Sequence, residues 1–151
     1  MPRRREAGFS LVESLVALAV LMPIVASVGG NAGTQALTVG VRALAMRELN
    51  AANACRSVRR EIAVALINGT ALGVVLGVAA GLLFRNPELG GVIGLAVVLN
   101  LLVAALAGSL IPLTLDRLGR DPAVASSVFV TMLTDLFGFL LFLGLATVIL
   151  L

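Results

Sequence analysis

Long apolar runs separated by short polar segments dominate the chain. The four runs cover residues 9–30, 62–84, 91–115 and 123–151, and each reaches the roughly 20 residues that an α-helix needs to cross a bilayer core. The runs lack the alternating pattern of β-strands, and lipid cannot satisfy backbone hydrogen bonds, so the spans must be helical. The pattern therefore predicts an all-α membrane protein, a bundle of four transmembrane helices.

Composition supports a membrane protein and excludes most enzyme classes. Hydrophobic residues make up 60% of the chain and charged residues only 13%, which is far from the average of soluble domains. The chain has no histidine and a single cysteine, Cys55. It therefore has no Ser–His nucleophile, no His-ligated metal and no internal disulfide. We expect no enzymatic activity, and no nucleic-acid partner either, because the arginines flank apolar runs.

The polar connections predict a topology with one conflict. Residues 85–88 and 116–121 read as short turns, whereas residues 31–61 carry five arginines and predict an amphipathic helix at the cytoplasmic face. Counting positive charges puts residues 31–61 and 116–121 in the cytoplasm and the C-terminus outside. Four spans then leave Arg3, Arg4 and Arg5 outside, although such a basic run before an apolar helix prefers the cytoplasm.

An acidic residue, Asp135, lies midway along the last apolar run, with no basic residue in the same span. A carboxylate at mid-bilayer costs about 2.5–3.5 kcal/mol on insertion scales, so such residues commonly face a wet cavity or an ion path. The alternative is a protonated or hydrogen-bonded Asp that helps helices to pack. Small and polar residues recur around it at intervals of three and four, which predicts one shared face: Ser127, Thr131, Thr134, Asp135 and Gly138. Oxygen ligands favour Mg²⁺ or Ca²⁺ over zinc or copper, although the stripe alone also suits Na⁺ or H⁺.

Two glycine-rich patterns lead to different predictions. Pro23 and the segment GGNAGTQ at residues 29–35 predict a break in the first helix that frees backbone carbonyls beside a cavity. Carbonyl and amide oxygens there could hold the water shell of Mg²⁺; the alternative is a simple helix stop. In the second helix, glycines recur every four residues and predict a packing ridge without an ion: Gly69, Gly73, Gly77 and Gly81. Asn68 begins this row, and Asn100 lies in the next helix.

From about residue 21 to the end, the sequence resembles the transmembrane domain of the MgtE family of magnesium channels and transporters. The resemblance rests on MPIVASVGGNAGTQ at residues 22–35, VRALA at residues 41–45, and the segment from DPA at 121–123 to FVTMLTD at 129–135. It implies a homodimer in the bacterial inner (cytoplasmic) membrane, with Mg²⁺ passing through a pore between the subunits. It further implies that Asp135 holds the hydrated ion, that Gly30 and Asn31 support it, and that Thr131 and Ser127 contribute by their position.

Members of that family usually carry a cytoplasmic helical domain, paired CBS modules that sense magnesium, and one further transmembrane helix before those seen in this chain. The resemblance therefore implies that the four spans correspond to the last four of five family helices. That correspondence would account for the conflict over the N-terminal arginines. Selectivity among divalent cations and the choice between channel and coupled carrier stay open.

The first residues resemble a different family. The segment RRREAGFSLVE at residues 3–13 is similar to a type IV prepilin leader and the start of its helix. The resemblance implies a basic leader over residues 1–8, a prepilin peptidase that cleaves between Gly8 and Phe9, and a role for Glu13 in pairing with a neighbouring subunit. Residues 9–151 would then form the divalent-cation transport domain. The alternative is a non-conducting fragment or fusion whose pilin-like start gives it a structural or secretion role.

Overall fold

Four long helices form the described part of the chain. The computed structural model describes residues 11–49 and 53–150, except for the side chains of residues 11 and 124–126. The helices are α1 (Leu11–Ala45), α2 (Ala54–Leu83), α3 (Pro87–Arg117) and α4 (Pro122–Leu150). Each contains a stretch long and apolar enough to cross a bilayer, which confirms the predicted four-helix membrane bundle. The predicted leader, with its cleavage position at Gly8 and Phe9, lies outside the described residues.

The predicted break in the first helix is wrong, because α1 runs without interruption through residues 29–35 to Ala45. Its glycines are points of close contact with neighbouring helices: Gly29 lies against Asn100, and Gly33 lies against Val130. Helical structure there keeps the backbone hydrogen bonds satisfied inside lipid, where a break would leave them open. The carbonyls of this segment are therefore not free for an ion.

The predicted surface helix over residues 31–61 is also wrong as a separate element. The end of α1 and the beginning of α2 take up most of this segment, and Arg47 adopts a positive φ of 57° in the turn after α1. Arginines of both helices and of α3 lie at one end of the bundle, which we call the basic end: Arg42, Arg56, Arg59, Arg60 and Arg117. Assignment of this end to the cytoplasm stays a prediction.

Helix α3 is the centre of the bundle. It packs extensively against α1, α2 and α4, and α1 also packs against α4, whereas α2 has at most marginal contact with α1 or α4. The core around α3 is apolar, with Val92, Ile93 and Val97 fully enclosed and Phe142 of α4 packed among them. Since each of the other three helices packs against α3, the position of α3 determines where they lie.

Glycines join α2 to α3, as the spacing along α2 predicts. A Cβ atom added to Gly73 would come within 2.7 Å of the Gly94 carbonyl oxygen, and one added to Gly77 within 2.8 Å of the Gly90 oxygen. The two backbones are thus too close for side chains at these positions, which is how small residues drive helix association in membranes. The predicted packing ridge is confirmed.

The two predicted short turns are also present. At the start of α3, Asn86 caps the helix by accepting a hydrogen bond from the backbone N–H of Leu89 at 3.1 Å, and Pro87 takes the first helical position. At the basic end, Gly119 has a φ of +66°, and Asp121 Oδ1 accepts a hydrogen bond from the Ala123 N–H at 2.9 Å. Both turns bring consecutive helices back antiparallel.

Candidate functional site

The polar stripe predicted along α4 divides into two faces. Thr134 and Gly138 are buried, and the Thr134 hydroxyl lies 3.0 Å from the carbonyl oxygens of Val130 and Thr131 in its own helix. Residues at spacings of three and four are spread over a broad arc of the helix. Adjacent residues such as Thr134 and Asp135 point in directions about 100° apart. The prediction of one shared face is therefore wrong for Thr134 and Gly138.

The other members of the stripe remain together on the outside of the bundle. Ser127 and Thr131 are exposed and Asp135 is half-buried, and the three line one open concavity with Val128 and Met132. Within the part of the chain that the structure describes, no side chain forms an ion pair or a hydrogen bond with the Asp135 carboxylate. This carboxylate is available to something outside the subunit.

Helix α1 repeats the division seen in α4. Its residues Gly33 and Ala26 pack against Val130 and Gly138 of α4, respectively, and this order makes the two helices antiparallel. Polar residues follow one position after the residues of α1 that face α4, and they are exposed: Ser27 after Ala26, Asn31 after Gly30, and Thr34 after Gly33.

The exposed polar residues of the two helices lie on the same side of the pair. Successive side chains point in directions about 100° apart around a right-handed α-helix. In two antiparallel helices that pack together, the residue after each contact residue therefore points to the same side of the pair. On α4, Thr131 follows Val130 and Asp135 follows Thr134 in the same way. We call this combined surface the polar face: Ser27, Asn31, Thr34, Ser127, Thr131 and Asp135.

The predicted site residues of α1 have different parts in this arrangement. Asn31 is exposed and contributes its amide to the polar face. Gly30 is half-buried, and the position of a Cβ on it lies 3.8 Å from the Thr134 hydroxyl. The Gly30 carbonyl accepts a hydrogen bond from the Thr34 hydroxyl at 2.6 Å, so it is not the free ligand that a helix break would have supplied. Gly30 lets α1 and α4 approach each other.

The chemistry of the polar face suits a cation that keeps its water. It offers hydroxyl groups, one amide and a single carboxylate, and none of its residues is basic. No group of three His, Cys, Asp or Glu side chains lies together among the described residues, so the face does not form a closed cage for a bare ion. Mg²⁺ loses water reluctantly and binds proteins through few carboxylates, with several waters retained.

A buried amide behind the polar face joins three helices. Asn100 of α3 is fully enclosed, and its Nδ2 donates a hydrogen bond to the Val25 carbonyl of α1 at 2.9 Å. Gly29 and Gly138 lie against the same amide from α1 and α4. Its Oδ1 has no partner among the described residues. The spacing of residues along the chain does not predict this junction, and its one sequence signal is a polar residue in the middle of the apolar run 91–115.

Four apolar helices with an oxygen-bearing outer face define a multi-pass helical membrane protein. The sequence profile of the MgtE family, described as a divalent cation transporter, matches residues 22–145. The chain therefore belongs to the MgtE family. A second profile, the prokaryotic N-terminal methylation motif, matches residues 3–27. Both resemblances stated from the sequence are confirmed, and the two matches overlap within α1.

Relatives in three bacteria cover nearly the whole chain. Magnesium transporter MgtE of Enterococcus faecalis is 42% identical over 138 residues, which is 91% of this chain and 30% of that protein. The Thermus thermophilus transporter of the same name is 37% identical over 95% of this chain and 32% of its own length, and the Bacillus subtilis one is 34% identical over 90% and 30%. The chain thus spans about a third of the length of these relatives. With four candidate spans, it is a multi-pass protein of a bacterial membrane.

Proposed function

We propose that two copies of this chain pack with their polar faces together and move a hydrated divalent cation, Mg²⁺ first of all, across the bacterial inner membrane. Asp135 of each copy holds the ion through its water shell. Asn31, Thr131 and Ser127 bind water molecules of the same shell. Gly30 lets α1 and α4 lie close enough to line one side of the pore together. The relatives that carry the name magnesium transporter support Mg²⁺ as the cargo. No catalytic chemistry is proposed.

The observation that carries the proposal is the polar face on the outside of a membrane bundle, with an Asp135 carboxylate that has no partner among the described residues. A carboxylate that faces lipid costs about 2.5–3.5 kcal/mol near mid-bilayer, and exposed amide and hydroxyl groups add to this cost. A second copy related by a twofold axis presents the same face and removes lipid from both. The two carboxylates then lie across one water-filled space, where their combined charge matches a divalent cation.

Magnesium uptake into proteoliposomes tests the pore. The chain, Asp135→Ala and Asp135→Asn are reconstituted at equal incorporation, and uptake is measured with Ca²⁺ and Co²⁺ as competitors. Both substitutions should abolish uptake, because Asn keeps the shape of the side chain and removes its charge. Asp116→Asn is the matched control: it makes the same chemical change on an exposed residue near the end of α3, and it should transport like the parent chain.

Two results would contradict the pore. Uptake equal to that of empty vesicles would favour the alternative that the chain is a non-conducting fragment or fusion. Unchanged uptake by Asp135→Asn would mean that the Asp135 carboxylate has no role in transport. Dimerisation is measured separately, by crosslinking cysteines placed at Asn31 or Thr131 of the polar face. A crosslinked dimer without flux would assign the face to assembly alone.

A second proposal concerns processing of the first residues, and the match to the methylation motif over residues 3–27 supports it. We propose that a prepilin peptidase removes residues 1–8 and leaves Phe9 as the new N-terminus. Co-expression with such a peptidase, followed by mass spectrometry of the intact chain, should show the shorter species. Gly8→Ala should prevent its formation. An unprocessed parent chain under the same conditions would refute the proposal.

A further inference from the structure

A second polar space lies between α1 and α2, separate from the polar face. The two helices diverge above α3 and leave a cleft of about 240 Å³. Its polar residues come from both helices, namely Gln35 of α1 and Glu61 and Asn68 of α2, and Leu101 of α3 is part of its apolar lining. Glu61 is half-buried. We call this space the α1–α2 cleft.

A smaller cavity of about 20 Å³ adjoins the cleft, and Glu61 lines both. Ser57 and Ser109 also line the small cavity. Ser109 is only 8% exposed, and its hydroxyl has no hydrogen-bond partner among the described residues. A space of this size is just enough for one water molecule, which needs polar partners to remain there. Water between the Ser109 hydroxyl and the Glu61 carboxylate would satisfy both groups.

We propose that the α1–α2 cleft binds a hydrated divalent cation at the basic end of the bundle, with the Glu61 carboxylate as the charged group that holds the ion through its water. Four further residues are hydrogen-bonding partners of that water: Gln35, Asn68, Ser57 and Ser109. The proposal takes the class of cation from the proposed function and does not depend on the pore. Its site is distinct from Asp135, which lies on α4 and lines neither cavity.

The lining favours a cation over the other occupants of a membrane cleft. All its charged and amide groups carry oxygen, none of its lining residues is basic, and no described side chain pairs with Glu61. The larger cavity has room for Mg²⁺ together with its octahedral water shell. An acyl chain in the cleft would leave the half-buried Glu61 carboxylate and the exposed Gln35 and Asn68 amides against hydrocarbon without hydrogen-bond partners, which is unfavourable.

Manganese binding tests the cleft, because Mn²⁺ is a paramagnetic stand-in for Mg²⁺ with the same preference for oxygen. The purified chain in detergent is titrated with Mn²⁺, the free ion is followed by electron paramagnetic resonance, and Mg²⁺ is added to displace it. The parent chain is compared with Glu61→Gln and Ser109→Ala. Glu48→Gln is the matched control, since it removes the same charge from an exposed residue just beyond α1.

Glu61→Gln should weaken Mn²⁺ binding at the cleft at least about tenfold, in line with the loss of a group that holds a metal through its water. Ser109→Ala should weaken it less, and Glu48→Gln should leave it unchanged. The series is repeated in Asp135→Asn, where only the cleft remains. Equal binding by Glu61→Gln and Glu48→Gln in that background overturns the proposal. Since uptake tests Asp135 and binding tests Glu61, failure of the pore and failure of the cleft give different results.

Discussion

Alanine at Gly29 should destabilise the bundle through one neighbour, Asn100. A Cβ at this position would lie 2.8 Å from Cγ of Asn100 and closer still to its Nδ2. The amide would have to move and lose its hydrogen bond to the Val25 carbonyl. Overpacking costs about 1–3 kcal/mol, and an interhelical hydrogen bond in a membrane is worth about 0.6 kcal/mol on average. We expect Gly29→Ala to lower the free energy of unfolding by about 2–3 kcal/mol.

Asn100→Ala provides the decisive comparison. Alone it loses the hydrogen bond to α1, and it also removes the unpaired Oδ1 from the core; we expect a net loss of about 1 kcal/mol. In the double variant the methyl group introduced by Gly29→Ala occupies space that the amide has left. The double variant should therefore be hardly less stable than Asn100→Ala, with a coupling energy of about 2 kcal/mol, inside the range for residues in contact.

Unfolding by SDS in mixed micelles, followed by circular dichroism, measures all three variants. Gly144→Ala is the control, because nothing lies within 4 Å of a Cβ at that glycine in α4, and it should unfold like the parent chain. Losses that simply add in the double variant would mean that Gly29 and Asn100 act independently. That result would show that the Asn100 amide does not couple α1 to α3.

Two further substitutions separate packing from transport. Gly90→Ala places a Cβ 2.5 Å from the Gly77 carbonyl oxygen. Because the backbone cannot move away as a flexible side chain can, the free energy of unfolding in the same SDS titration should fall by about 1–3 kcal/mol. Stability equal to that of the parent would contradict the close contact of α2 and α3. Thr134→Val keeps the shape of a side chain whose hydroxyl, among the described residues, forms hydrogen bonds only to carbonyls of α4, so magnesium uptake should stay within about twofold of the parent. A large loss of uptake would mean that the Thr134 hydroxyl takes part in transport together with the polar face.

The sequence was sufficient for the helices and for the ridge between α2 and α3. Length and apolar character determine where a chain can span lipid, and the four-residue spacing from Gly69 to Gly81 marks a surface that a neighbour can approach. Both features belong to a single helix, so a linear pattern contains them. The same holds for the turn at Asn86, whose cap is a local contact.

The sequence was not sufficient wherever a second helix decides the outcome. Glycines at residues 29–33 are compatible with a break or with close packing, and only the presence of Asn100 and Val130 opposite them distinguishes the two. Thr134 and Asp135 are adjacent and both polar, yet the position of α1 buries one and leaves the other accessible. The α1–α2 cleft combines residues of three helices, and no linear spacing relates them.

The polar face has a consequence for biosynthesis, because its two halves come from the first and the last helix. Helices α2 and α3 follow each other and can join as soon as both have left the ribosome, whereas the polar face is complete only when α4 lies beside α1. We therefore expect α1 to stay at the protein-lined exit of the insertion machinery until translation ends, and crosslinking of stalled nascent chains would reveal the order. Assembly of the polar face is then the last step in making the subunit.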